Sequence, residues 1–246
     1  GVLDNDPPPI CKTLHILKDT ALYGHITDTD GTVLKNRVRQ SVANDPDSCP
    51  ATLFDDLEDD VVAISSAKNK FVVLCEKSLY RTEGSFDETG RGFLKHEKIA
   101  DVGCVSANSV VRTEFGVFFA GNNGFYFSDG YEAQRISGKL EDSYKKLIGL
   151  TAQKKRIYGT YDAQNRRAWW GVQEDTNSLE NDTAWIFHLG FGIKEDGVFT
   201  KAKNGLHFQP SALHFIGGEM LRGDGRGYVF SHTKYYKSDP KVDTTA

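Results

Sequence analysis

The residues best able to bind a metal or move a proton near neutral pH are seven histidines, at positions 15, 25, 96, 188, 207, 214 and 232. A zinc hydrolase of the HExxH type needs two of them four apart on one helix face, and no such spacing, nor an HxH pair, occurs. His207 and His214 are seven apart on different predicted strands, so the expectation is ordinary strand and turn histidines. A serine nucleophile on a GxSxG elbow is also absent, because neither Gly84-Ser85 nor Gly138 has the matching context. Asp28 and Asp30 in DTDG have the opening spacing of a calcium loop. The later ligands and closing glutamate are missing, and Thr29-Asp30-Gly31 suits a hairpin tip instead. GDGRG at 223–227 looks superficially like a phosphate cradle, but a Walker loop needs GK[ST] leading into a helix, whereas Tyr228-Val229-Phe230 continues as a strand. The sequon Asn181-Asp182-Thr183 would accept a glycan only in a secretory compartment. No catalytic, cofactor-binding or metal-ligating residue is nominated, and the reading is of a protein that is not an enzyme and carries no cofactor.

Four cysteines, Cys11, Cys49, Cys75 and Cys104, are too few for a disulfide scaffold at this size and fit no metal spacing, so buried thiols are expected. Adjacent Trp169 and Trp170 must point to opposite faces of a strand, one into a core and the other toward the outer side of the sheet or a neighbouring one. Tyr235-Tyr236 is expected to behave alike. The acidic run ATLFDDLEDD, 51–60, is expected to be a long, solvated polar connection.

These groups must be positioned by strands. Short apolar or alternating runs bounded by Gly, Asn, Asp and Ser dominate, the pattern of strands joined by tight turns. From Ser109 to Ser137 the chain reads as four strands broken at Phe115-Gly116, Asn122-Asn123-Gly124 and Asp129-Gly130. Upstream, VVAIS, FVVLCE, SLYRTEG and FLKHEKIAD repeat the plan, with Leu79-Tyr80 standing 46 residues before Phe125-Tyr126. Periods of about 40–50 residues are those of propeller blades. TLHILK, ALYGHITDTDG and VLKNRVRQSVA supply a unit at the front. RIYGTYDAQNRRAWWGVQ with TAWIFHLGFG and GVFTKA supplies another, and Ala212 to Thr233 gives three more strands. The fold expected is all-β: a single propeller domain over 1–246 of about five antiparallel blades. One short helix is expected after the third, where Leu140, Tyr144, Leu147 and Ile148 share a helical face.

A net charge of −4 leaves no basic excess for gripping phosphates, so DNA is expected to pass near this chain without being held. No apolar run reaches the roughly 20 residues that span a bilayer, and GVLDNDPPPICK lacks the basic and apolar regions of a signal peptide. The chain begins at Gly1 and holds one methionine, Met220, which suggests part of a longer protein.

The run GCVSANSVVRTEFGVFFAGNNGFYFSDGYEAQRIS from Gly103 resembles the propeller repeat of tail nozzle proteins of short-tailed bacteriophages, also called tail tubular or packaged-DNA stabilisation proteins. The pattern is carried by Gly116, Phe118, Gly121, Gly124, Tyr126, Asp129, Gly130, Ile136 and Ser137. ALYGHITDTDGTVLKNRVRQSVANDPDS and MLRGDGRGYVFSH are similar to two further family segments. Gln40 and Ser48-Cys49 stand where aromatics are common, and the family's flanking platform and tip segments are absent or shortened. The resemblance implies a structural virion protein of the tail, forming a homo-oligomeric ring in its full-length context. It also implies docking to a portal adaptor and to fibres or a tip, with transient DNA contact during ejection. The alternative is a stand-alone glycan- or ligand-binding propeller. A propeller hydrolase would need inward-facing carboxylates that the sequence does not place.

Overall fold

The structure is a computed structural model that describes residues 6–84, 92, 94–147, 151–175, 178, 180–202, 210–224 and 227–232. Among the described residues strand accounts for 52 % and helix for 9 %, the strands arranged as five antiparallel sheets. The chain divides into two units, one of residues 1–107, 112–117 and 127–134 and the other of 108–111, 118–126 and 135–246.

In the first unit, β1 (Ile10–Leu17), β2 (Thr20–Thr27), β3 (Val33–Gln40) and β4 (Phe54–Asp56) form one sheet in chain order. The second sheet repeats this with β5 (Val61–Ala67), β6 (Lys70–Cys75), β7 (Leu79–Glu83) and β8 (Lys95–Ala100). Alternating burial along β3 and near-complete burial of β5 and β6 follow from their sequences, since VVAISSA and KFVVLC are apolar on both faces. Leu22, Val38, Val61, Ile64, Phe71, Val73 and Tyr80 make the core of this unit. His25, in the left-handed region at φ 56°, sits where the β2–β3 register shifts, a bulge inside the strand.

The acidic run is not the solvated loop expected from its composition. It contains β4, and Arg37 grips Asp56 with two bonds of 2.6 and 2.7 Å while its guanidinium lies 3.9 Å over the Phe54 ring. The Asp59 carboxylate accepts from the Lys77 amide and, at 3.1 Å, from the Ser78 hydroxyl. A composition-based reading misses this because the partners lie on neighbouring strands.

A third sheet, of β9 (Val111–Arg112), β10 (Val117–Gly121), β11 (Gly124–Ser128) and β12 (Ala133–Arg135), contains residues of both units. β7 and β11 are each the third strand of a sheet, so the spacing of Leu79-Tyr80 and Phe125-Tyr126 is a strand-for-strand equivalence. In the second unit α1 (Glu141–Leu147) and α2 (Thr151–Lys154) follow the third sheet. Tyr144 and Leu147 are buried as the helical face predicts, and the Tyr144 hydroxyl donates to the Gly121 carbonyl; Ile148 lies outside the described residues. The fourth sheet is β13 (Tyr158–Asp162), β14 (Arg167–Val172), β15 (Thr183–His188) and β16 (Phe199–Ala202). The fifth has three strands, β17 (Ala212–Ile216), β18 (Glu219–Gly223) and β19 (Val229–His232).

Two glycines separate backbone strain from close packing. Gly124 has φ 151°, and a Cβ there would overlap the Ser137 hydroxyl, which receives the Phe125 amide at 2.8 Å. Gly31, at φ 88°, has open space around it. Gly31→Ala should therefore lose about 1 kcal/mol from strain alone, and Gly124→Ala roughly 2–4 kcal/mol, measured by urea unfolding. Equal losses at both positions would contradict this account.

Candidate functional site

Three of the described histidines have a structural partner. The His15 ring nitrogen Nε2 pairs with the Ser66 hydroxyl at 2.9 Å, and His188 Nε2 pairs with the Thr200 hydroxyl at 2.8 Å. His25 Nδ1 lies 3.3 Å from the Val61 carbonyl. His214 is exposed on β17; His207 lies outside the described residues, as does Tyr235-Tyr236. Among the described residues no three histidine, cysteine, aspartate or glutamate side chains converge as metal ligands.

The Asp28 and Asp30 carboxylates each accept a backbone amide of their own turn, from Thr29 and Thr32 at 2.8 Å, which caps a hairpin tip. In GDGRG, Tyr228 donates its amide to the Asp224 carboxylate at 2.9 Å, closing a turn into β19. All four cysteines are free, and burial pushes the Cys75 thiol pKa far up, leaving it unreactive. Trp170 is fully buried and donates its indole N–H to the Ser109 carbonyl at 2.9 Å. Trp169 faces the other way, 6.3 Å from the Phe215 ring of β17 in the adjoining sheet. The sequon asparagine is 3 % exposed and donates to the Arg156 and Pro210 carbonyls at 2.9 and 3.2 Å.

The one buried pairing of a histidine with a carboxylate is His96 Nδ1 with Asp55 Oδ2, at 3.1 Å, among the described residues. The His96 side chain is 2 % exposed, and its Nε2 has no partner. Burial holds its pKa below the ordinary histidine value, with Asp55 opposing. The pair ties β8 to β4.

Two features of the first unit face outward. On the edge strand β1 the outward row is Ile10, Lys12, Leu14 and Ile16, its three apolar members 72, 50 and 55 % exposed, while the alternate residues turn inward. Beside that row the segment after β3 is clamped to the sheet. Tyr23 donates its hydroxyl to the Pro46 carbonyl at 2.9 Å, Ser41 receives the Ala21 amide at 2.9 Å, and Arg39 donates to the Cys49 and Pro50 carbonyls. The second feature is Tyr131, 52 % exposed, with the Lys68, Lys70 and Arg81 cations 5.4, 5.3 and 5.0 Å from its ring centre. Asp129, Glu83 and Glu97 hold those cations in place at 3.1, 2.8 and 2.7 Å. Sequence reasoning missed this cluster, since its members come from four separate strands or turns.

No family model matches the chain, and no curated protein does. Among solved structures it is similar to the β-propeller protein BamB from Moraxella catarrhalis, at 12 % identity and a TM-score of 0.53 over 92 % of this chain. It is also similar to PorZ, a surface component of the type-IX secretion system of Porphyromonas gingivalis, at 11 % identity and 0.56 over 96 %. Hsv2 from Kluyvelomyces marxianus aligns at 10 % identity and 0.47 over 87 %. This chain spans 59, 28 and 59 % of those proteins' own lengths. Together with the five antiparallel sheets, the likeness to BamB makes the fold an all-β propeller.

His96 gives a pH test. A histidine held neutral in the fold contributes fully above its unfolded pKa, about 6.5, and loses that contribution as pH falls toward the folded value. His15 and His188 are shifted the same way by burial, so the loss is shared. His96→Gln should flatten part of the decline in urea midpoint below about pH 6.5. An unchanged slope would show that His96 does not titrate with unfolding.

Proposed function

We propose that this chain is the propeller of a bacteriophage tail protein of the nozzle class, working as a scaffold and docking surface and not as an enzyme. The observation that carries the reading is where the residues of the tail-nozzle pattern sit. They build blades. Gly103 occupies a place where a Cβ would overlap the Glu76 carbonyl, and the next residue, Cys104, donates its amide to the Cys75 carbonyl at 2.8 Å. A Cβ on Gly116 would overlap the Ser128 carbonyl, and Gly130 turns at φ 92° against Ala67. Ser137 accepts the Phe125 amide, and Arg37, Arg39, Ser41 and Pro46 clamp the first sheet. A pattern spent on close packing and cross-strand bonds is what a rigid tail component requires, since its task is to hold shape under load.

Docking in this reading falls to the β1 row, where Ile10, Leu14 and Ile16 stand exposed with Lys12 among them. The partner is a neighbouring tail protein, and the full-length chain closes into a ring of identical subunits through a repeated heterologous interface. Mild acidity suits a conduit wall past which DNA slides.

The test is electron microscopy of the full-length protein mixed with its adaptor, with antibody labelling of virions. Rings and tail labelling are expected. Leu14→Asp combined with Ile16→Asp should leave the melting temperature within about 3 °C, as exposed positions do, yet abolish ring docking. A full-length protein that stays monomeric with the adaptor, with no label on the tail, would end the nozzle reading.

A further inference from the structure

The first unit carries a depression of about 470 Å³ lined in part by the first hairpins of its two sheets in chain order. Leu17-Lys18-Asp19-Thr20 joins β1 to β2, and Ala67-Lys68-Asn69-Lys70 joins β5 to β6. Both are two-residue loops, and in both the first loop residue is a lysine at φ 54°. That left-handed conformation favours glycine or asparagine and costs a lysine about 1–2 kcal/mol. The same strained choice stands on neighbouring sheets, and each time the next residue, Asp19 or Asn69, lines the depression. Strain of this kind concentrates at functional sites.

The lining is suited to one class of ligand. Among the described residues the side chains of Lys18, Asp19 and Asn69 have no hydrogen-bond or ion-pair partner, so a cation, a carboxylate and an amide all stand ready to bond. Lys70 and Glu83, which also line it, are paired at 2.8 Å and contribute little net charge. Thr82 and the apolar Phe71 and Leu94 form the inner part. Lys70 and Glu83 connect the depression to the exposed Tyr131 ring, because Lys70 and the Glu83-bound Arg81 both approach it.

A polyanion would meet the unpaired Asp19 carboxylate, and a purely apolar ligand would leave Lys18, Asp19 and Asn69 desolvated and unpaired. A hydroxyl donates and accepts at once, so a chain of hydroxyls satisfies all three, and a sugar's C–H face packs on an aromatic ring. The volume falls within the range of small-ligand pockets, room for one or two pyranose rings. We propose that this depression binds a neutral saccharide, with Asp19, Asn69 and Lys18 as the hydrogen-bonding groups and Phe71 and Leu94 as the apolar inner wall.

The test uses the whole 246-residue chain, isotope-labelled, titrated with maltohexaose, chitohexaose and dextran, with heparin and inorganic phosphate as anionic controls. At least one neutral sugar should shift the amide signals of Lys18 to Thr20 and Asn69 to Phe71. Asp19→Ala and Asn69→Ala should each weaken its binding at least about tenfold. Melting curves verify that the variants fold; Lys18→Gly, which relieves the strained tip, should raise the melting temperature and still weaken binding. The proposal fails if none of the three sugars moves these signals, if the shifts map elsewhere, or if Asp19→Ala and Asn69→Ala bind as the parent does. It also fails if only heparin or phosphate binds, which would mark an anion site. The assay needs no tail partner, so its failure is separate from failure of the nozzle reading.

Discussion

The second unit is organised around a single ring. Phe125 lies 4.4 Å from Trp170, 5.2 Å from Tyr144, and 5.9 Å from both Trp185 and Phe199. Those rings come from β11, β14, α1, β15 and β16, so one side chain joins the third sheet's strand, the helix and the fourth sheet. The contacts are tilted or edge-on, as ring quadrupoles prefer, and each adds about 0.5–1.5 kcal/mol beyond burial. The polar handles are satisfied inside: the Trp170 indole donates to Ser109, the Trp185 indole to Glu174 at 2.8 Å, and the Tyr144 hydroxyl to Gly121. Loss of Phe125 would leave several large rings facing one hole, and so would loosen every element at once.

The first unit is held differently. Its apolar core is supplemented by polar ties between strands, including Arg37 on Asp56 and His96 on Asp55. Gln40 is 2 % exposed and bonds twice to the stretch before β8, donating to the Gly92 carbonyl at 2.5 Å and accepting from the Leu94 amide at 2.6 Å. Resemblance to the tail family would place an aromatic at this position; here an amide does the same job of fixing the chain, by bonding instead of packing. The Arg37 guanidinium holds the Asp56 carboxyl below the usual aspartate range, so this tie persists until strongly acidic conditions.

The two units are therefore suited to different work. One is an aromatic body whose ring nitrogens and hydroxyls are turned inward. The other keeps free side chains at its hairpin tips and a bare apolar row on β1. A scaffold that docks neighbours and holds a sugar would draw on the first unit.

Much of this was legible in the sequence because local rules govern it. Alternation and turn residues placed the strands, and the 46-residue offset marked equivalent third strands, since a repeated supersecondary unit must repeat its core positions. The Tyr144–Leu147 face declared a helix, and adjacency of Trp169 and Trp170 required them to diverge. What tertiary structure alone decided is which distant groups meet. Nothing in ATLFDDLEDD says that Asp55 and Asp56 will be held by His96 and Arg37, and nothing near Tyr131 announces three cations from 68, 70 and 81. The hairpins that carry Lys18-Asp19 and Asn69-Lys70 look like separate turns until packing of the two sheets brings them to one depression. Backbone pattern is written in neighbouring residues; a site is written in side chains that only folding makes neighbours.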